Sequence, residues 1–207
     1  MADAAALHAE LGPGVRVRFV EVAWEHVDDA GALAASLDEP ALVLRVPPER
    51  LDDPEETVAS LARVRPRVGA AMAIGRDRPS STTARFLVAA TRHGLPVRVI
   101  PAPARAFTTP GEGVGVVNLL VAGALAAAGE HPEVVMRALD DDAGSYRLGL
   151  GAVGWRDRRI EARRLRETGV PTTLTVTDPE EVISTLGSSG ADAAGARARR
   201  VEEGASD

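Results

Sequence analysis

The stretch VGAAMAIGRDRPSSTTARFLVAATRHGLPVRVI, residues 68–100, decides how this chain folds. It opens on an uncharged apolar run, Val68–Gly75, and leads into a second run, Val97–Pro103. Between them, Ser80–His93 repeats apolar residues at helical spacing, and Gly94 stands where a left-handed residue ends a helix. Strand, helix, strand at this spacing is the pattern of a right-handed crossover joining neighbouring parallel strands. A strand without charge suits the middle of such a sheet, where both faces are covered.

The same alternation extends toward the N-terminus. Ala41–Val46 (ALVLRV) is another continuous apolar run. Val15–Trp24 begins with Val15, Val17 and Phe19 alternating with Arg16 and Arg18, the period of a half-exposed edge strand. Helical patterns cover Asp28–Leu37 and Asp53–Val64. The second starts DDPEET, with Asp52 or Asp53 as cap, Pro54 in the first turn and two glutamates after it.

Beyond residue 107 the character changes. Val116–Ala128 reads as a helix apolar all round, and Pro132–Asp140 as a shorter amphipathic one. YRLGLGAVGWRDRRI, residues 146–160, offers two short strands about a turn. A helix over Glu161–Thr168, a last strand in TTLTVT and a closing helix over Asp178–Leu186 follow. The segment from Gly187 onward is small and polar and is expected to be disordered. The fold class is therefore α/β: a mainly parallel sheet of about four strands flanked by helices, with a C-terminal α+β extension and a disordered tail. Residues 1–186 are expected to form a single domain, with a βαβ core over 14–107, the extension over 108–186 and the tail over 187–207.

Composition narrows the chemistry. With 207 residues, 45% hydrophobic but only 3% aromatic, the chain builds its core from Ala, Val and Leu. There is no cysteine, which removes disulfides, thiolate nucleophiles, zinc–thiolate sites and iron–sulfur clusters. There is no lysine either, so all 24 cationic side chains are Arg. A P-loop lysine, a Schiff-base lysine and a lysine general base are thereby excluded. A net charge of −6 argues against a broad nucleic-acid surface. The local run Arg158, Arg159, Arg163, Arg164 and Arg166 reads as the solvated face of a helix. No uncharged apolar run reaches about twenty residues, and MADAAALHAE has acids but no basic start of the secretory kind. A soluble, cytoplasmic protein without membrane or nucleic-acid partners is expected.

In open parallel sheets ligands bind outside the carboxyl ends of the strands, near a reversal of strand order. Four loops would meet there: WEHVDD, PPERLDD, GRDRPSSTT and PAPARAFTTPGEGVG. A helix start leaves about four amides unpaired and carries partial positive charge. The other well-marked starts answer this with Asp and Glu. The one at residue 80 holds Ser80, Ser81, Thr82 and Thr83, preceded by Arg76 and Arg78. A phosphate or carboxylate would satisfy amides and guanidinium groups together. The candidate ligand-binding residues are thus Arg76, Arg78, Ser80, Ser81, Thr82, Thr83 and Arg105. Asp77 and His26 are the candidate general acid or base if the site is catalytic. The plainer alternative is that Ser80 or Ser81 simply caps the helix.

Other polar stretches read structurally. TTPGEGVG (108–115) lacks dinucleotide-fingerprint spacing and is read as a flexible linker. The acids of WEHVDD are read as helix caps, Asp140–Asp142 as a solvated loop and Tyr146 as packing. The histidines His8, His93 and His131 are too scattered for a catalytic metal site, and no G-x-S-x-G follows a strand. No motif names a cofactor or a metal. Two functions follow: a protein, possibly catalytic in kind, that binds a small anionic metabolite; or a non-catalytic accessory subunit or interaction module. For the second, Val116–Ala128 would supply a homo-oligomer or partner-subunit interface.

Overall fold

The computed structural model describes residues 19–27, 30, 32, 41–64, 68–73, 78–102, 105–167, 173–176, 183 and 184. Four apolar runs form strands β1 (Phe19–Ala23), β2 (Ala41–Val46), β3 (Val68–Met72) and β4 (Val97–Ala102). A fifth strand, β8 (Thr173–Val176), joins them, and the order across the sheet is β1-β2-β3-β4-β8. Every pairing is parallel. The α/β reading holds, with one addition: the last strand, assigned to the extension, returns to lie beside β4.

Uncharged β3 is central and buried along its whole length. Among the described strands β1 lies at one edge, the position expected of the first strand. Strand side chains point alternately to the two faces. Leu42, Leu44, Val46, Val68, Ala70, Met72, Val97 and Val99 enter the main hydrophobic cluster. The opposite face carries Glu21, Val43, Arg45, Ala71 and Arg98. There Arg45 Nε donates to Glu21 Oε1 at 2.6 Å. Arg98 is buried, and loss of water there lowers its pKa, opposed in part by the charge of Glu21.

The helices are α1 (Pro54–Arg63), α2 (Ser80–Arg92), α3 (Val116–Ala127), α4 (Pro132–Asp140) and α5 (Ala162–Glu167). Asp53 caps α1, its carboxylate accepting from the Glu56 amide at 3.2 Å. Gly94 ends α2 at φ 59°. α1 and α2 lie side by side, and α2 packs on both α3 and α4. α3, apolar except for Asn118, is wrapped by α2, α4 and α5, so Leu119, Val121 and Leu125 are buried within the chain itself.

The region after α4 differs from expectation. Residues 146–161 form three strands, β5 (Tyr146–Gly149), β6 (Ala152–Trp155) and β7 (Arg158–Glu161), paired antiparallel in that order. The second turn was not legible because Arg156 makes it at φ 53°, a left-handed conformation usually marked by Gly or Asn. The expected helices over Asp28–Leu37 and Asp178–Leu186, apart from isolated positions, and the tail from residue 187 lie outside the described residues. So do Val15–Arg18 of the first expected strand. No described helix is long and apolar enough to cross a membrane.

Candidate functional site

The carboxyl ends of β1 and β2 each run straight into polar structure. β1 passes into a 3-10 turn, Trp24–His26, and β2 into another, Pro48–Asp52, that leads to α1. Between β3 and α2, Ala73, Arg78 and Pro79 are described. These ends are tied together. The Arg50 guanidinium lies 5.7 Å from the centre of the Trp24 ring, and Thr57 Oγ1 donates to Arg50 O at 2.6 Å. Arg78 Nη1 reaches Pro48 O at 3.5 Å, joining the β3 loop to the β2 loop. The strand order shows no reversal among the described strands, so the crevice expected of a doubly wound sheet is absent there. What remains is the edge itself.

At that edge α2 starts in an unusual way. Its first turn holds no acid, its N-cap is Pro79, and no side chain among the described residues caps it. The Thr82 amide bonds back to Pro79 O at 3.1 Å. By contrast, α1 has the Asp53 carboxylate with Glu55 and Glu56, and α4 has the His131 ring and Glu133. α3 also lacks an acid, but its amides are taken. Gly115 N donates to Thr108 Oγ1 at 3.0 Å, Val116 N to Arg105 O at 2.9 Å and Val117 N to Ala106 O at 2.8 Å.

Of the candidate ligand residues, Ser81 is exposed, and Arg78, Ser80 and Thr82 are half-buried. Thr83 is turned inward and is 1% exposed; its hydroxyl has no hydrogen-bond partner. Arg105 is exposed and ion-paired with Glu112, so it is not a spare cation. Arg76 and Asp77 lie outside the described residues. His26 closes the 3-10 turn after β1, and its ring is likewise outside them.

A second polar cluster escaped the sequence reading. Asn118, in the first turn of α3, is completely buried. Its Oδ1 accepts from Thr108 N at 2.9 Å, while Nδ2 donates to Ala138 O at 2.8 Å and Asp141 O at 2.7 Å. The Tyr146 hydroxyl accepts from Asn118 Nδ2 at 3.0 Å and donates to Ala138 O. Thr108 Oγ1 donates to Leu139 O at 2.7 Å. One amide and two hydroxyls thus occupy the carbonyls at the end of α4, which a helix leaves open. Burial, and then the Asp141 charge, push the Tyr146 pKa well up, so its proton stays on. Tyr146 is accordingly a hydrogen-bonding residue and not packing alone.

Asp141 is not solvated loop either. Its carboxylate accepts from Trp155 Nε1 at 2.8 Å and from Arg156 at 2.7 and 2.8 Å. The bond from Arg156 holds its pKa below the usual carboxylate value. TTPGEGVG is an ordered turn and not a flexible linker: Gly111 and Gly113 take φ 78° and 105°, and Thr109 bridges to Gly113. Asn118 and Tyr146 could have been singled out only as polar residues in apolar surroundings. Nothing local names their partners.

Among the described residues no three His, Asp or Glu side chains gather to hold a metal ion. Compared with family models, with curated proteins and with solved structures, the chain finds no match. The Asn118 and Asp141 clusters are saturated by the chain's own groups. Among the described residues, no side chain caps the start of α2 and no acid stands in its first turn.

Proposed function

We propose that the protein binds a small anionic metabolite, bearing a phosphate or a carboxylate, at the start of α2. The observation that carries this reading is that α2 opens without an acid or a side-chain cap, whereas α1 and α4 have both. Helix amides and the partial positive charge of the N-terminus favour an anion there. Ser80, Ser81 and Thr82 line the first turn, and Arg78 and Arg50 bring positive charge to the neighbouring strand ends. Arg76 is the further cation this reading invokes. Arg105 would contribute only after leaving Glu112, an exposed pair that costs little to break. In a catalytic version, Asp77 or His26 serves as the general acid or base.

The competing reading, an accessory subunit docking through Val116–Ala128, rested on an apolar helix in need of cover. Within the chain α2, α4 and α5 supply that cover.

A thermal-shift titration with inorganic phosphate and small carboxylates tests the proposal. Anions raise Tm of the unmodified chain. Ser81→Asp gives α2 an acid of its own, and Arg78→Ala removes a cation; both variants lose the response. A wild-type Tm that ignores every anion ends the proposal.

A further inference from the structure

Two threonines of α2 behave differently. Thr91 Oγ1 donates to Leu87 O at 2.8 Å, the ordinary return of a helical hydroxyl to the carbonyl four residues back. Thr83, two turns earlier, makes no such bond. Its hydroxyl is enclosed and has no partner, although leaving a buried polar atom so is costly. The carbonyl four residues back, Pro79 O, accepts from Thr82 N at 3.1 Å and takes nothing from the Thr83 hydroxyl. Side chains on an α-helix lean toward its N-terminus. The Thr83 side chain therefore leans toward the open end of α2 from the buried side of the turn that holds Ser80, Ser81 and Thr82. An apolar residue of the same shape would have no orphan group. Val88 and Leu87 on the same helix show that the surroundings accept one.

We infer that Thr83 is the inner donor of a phosphoryl-binding site, which narrows the anion of the proposed function, on which this inference rests, to a phosphate monoester or inorganic phosphate. The amides of the first turn meet the ligand from outside the helix end, and the Thr83 hydroxyl meets it from the buried side. A tetrahedral phosphoryl group presents oxygens in both directions at once. A carboxylate, with two oxygens in one plane, satisfies the amides and leaves Thr83 without an acceptor.

Isothermal titration calorimetry on the full chain, with inorganic phosphate and separately with acetate, tests this. A hydrogen bond to a charged group is worth enough that its loss weakens binding by about tenfold or more. The expected result is that phosphate binds more tightly than acetate, that Thr83→Val loses at least that factor for phosphate, and that Thr83→Ser keeps the affinity. If Thr83→Val does not fold, Thr83→Ala takes its place. Phosphate binding untouched by removal of the hydroxyl overturns the role of Thr83 and leaves the anion site at α2 standing. Acetate binding as tightly as phosphate overturns the phosphoryl preference in the same way. Binding of neither anion by the unmodified chain overturns both readings.

Discussion

Asn118 and Tyr146, 28 residues apart, share a buried hydrogen bond of 3.0 Å, and both donate to the carbonyl of Ala138. That carbonyl is where α3, α4 and β5 are locked to one another. The amide of Asn118 cannot be replaced by an apolar group without stranding Thr108 N and the Asp141 carbonyl at the same time. Asn118→Leu is expected to destabilise the chain by about 3 kcal/mol or more, because several buried groups lose partners together. Urea unfolding measures it, and a cost below about 1 kcal/mol would show the network to be dispensable.

Tyr146→Phe removes only the hydroxyl and leaves the ring against Phe107, whose centroid is 5.4 Å away. Its cost is expected near 1–2 kcal/mol. A double-mutant cycle with Asn118→Ala should give a coupling above about 0.5 kcal/mol, since the two side chains touch. Strict additivity would contradict the shared bond.

Asp141 predicts a pH dependence. The Arg156 hydrogen bonds lower its pKa in the folded chain, with the Trp155 indole N–H assisting against the opposing effect of burial. A carboxyl with a depressed folded-state pKa stabilises the fold above its unfolded value, about 4. That stability is lost as pH falls through the lower, folded value. Wild type should therefore exceed Asp141→Asn in stability between pH 5 and pH 7, by roughly 1–2 kcal/mol. The gap should begin to narrow near pH about 4 and close as pH falls through the lower, folded-state value. Trp155 fluorescence during unfolding at each pH reads it directly, and a gap that persists unchanged at low pH would refute the assignment.

Gly115 is required by close approach and not by backbone angle, since its φ of −84° suits any residue. A Cβ there would stand 2.3 Å from the Phe107 carbonyl carbon and 2.6 Å from Ala106 O. Both are backbone atoms and cannot swing aside. Gly115→Ala is expected to cost at least about 2 kcal/mol, lowering Tm and soluble yield. A neutral result would mean that residues 105–107 separate from the start of α3.

Arg105→Ala is the contrasting case. Its ion pair with Glu112 is 45% and 41% exposed on its two sides, so water screens it. The loss should stay under about 1 kcal/mol in chemical unfolding. A larger loss would point to a structural role for Arg105 beyond the pair.

The parts of the fold that could be read from residue order are those whose causes are local. β3 is central because Val68–Met72 carries no charge, and α1 starts where Asp53 and Pro54 stand. α2 ends at a glycine able to take φ 59°. The start of α2 was legible for the same reason: four hydroxyl residues and no acid are facts about neighbours in sequence. The third strand of the small sheet was missed because Arg156, not glycine, takes the left-handed turn.

By itself, then, residue order determined the alternation of strands and helices, the caps, the exclusion of thiol and lysine chemistry, and which helix start lacks an acid. Tertiary structure alone decided that β8 lies beside β4, that Asn118 meets Tyr146 and the end of α4, that Arg156 claims Asp141, and that the Thr83 hydroxyl has no partner. The physical reason is range. Periodicity and capping act within a turn or two of chain, whereas these pairings join groups 14 to 28 residues apart or more. They exist only once packing has brought them together and excluded the water that would otherwise serve in their place.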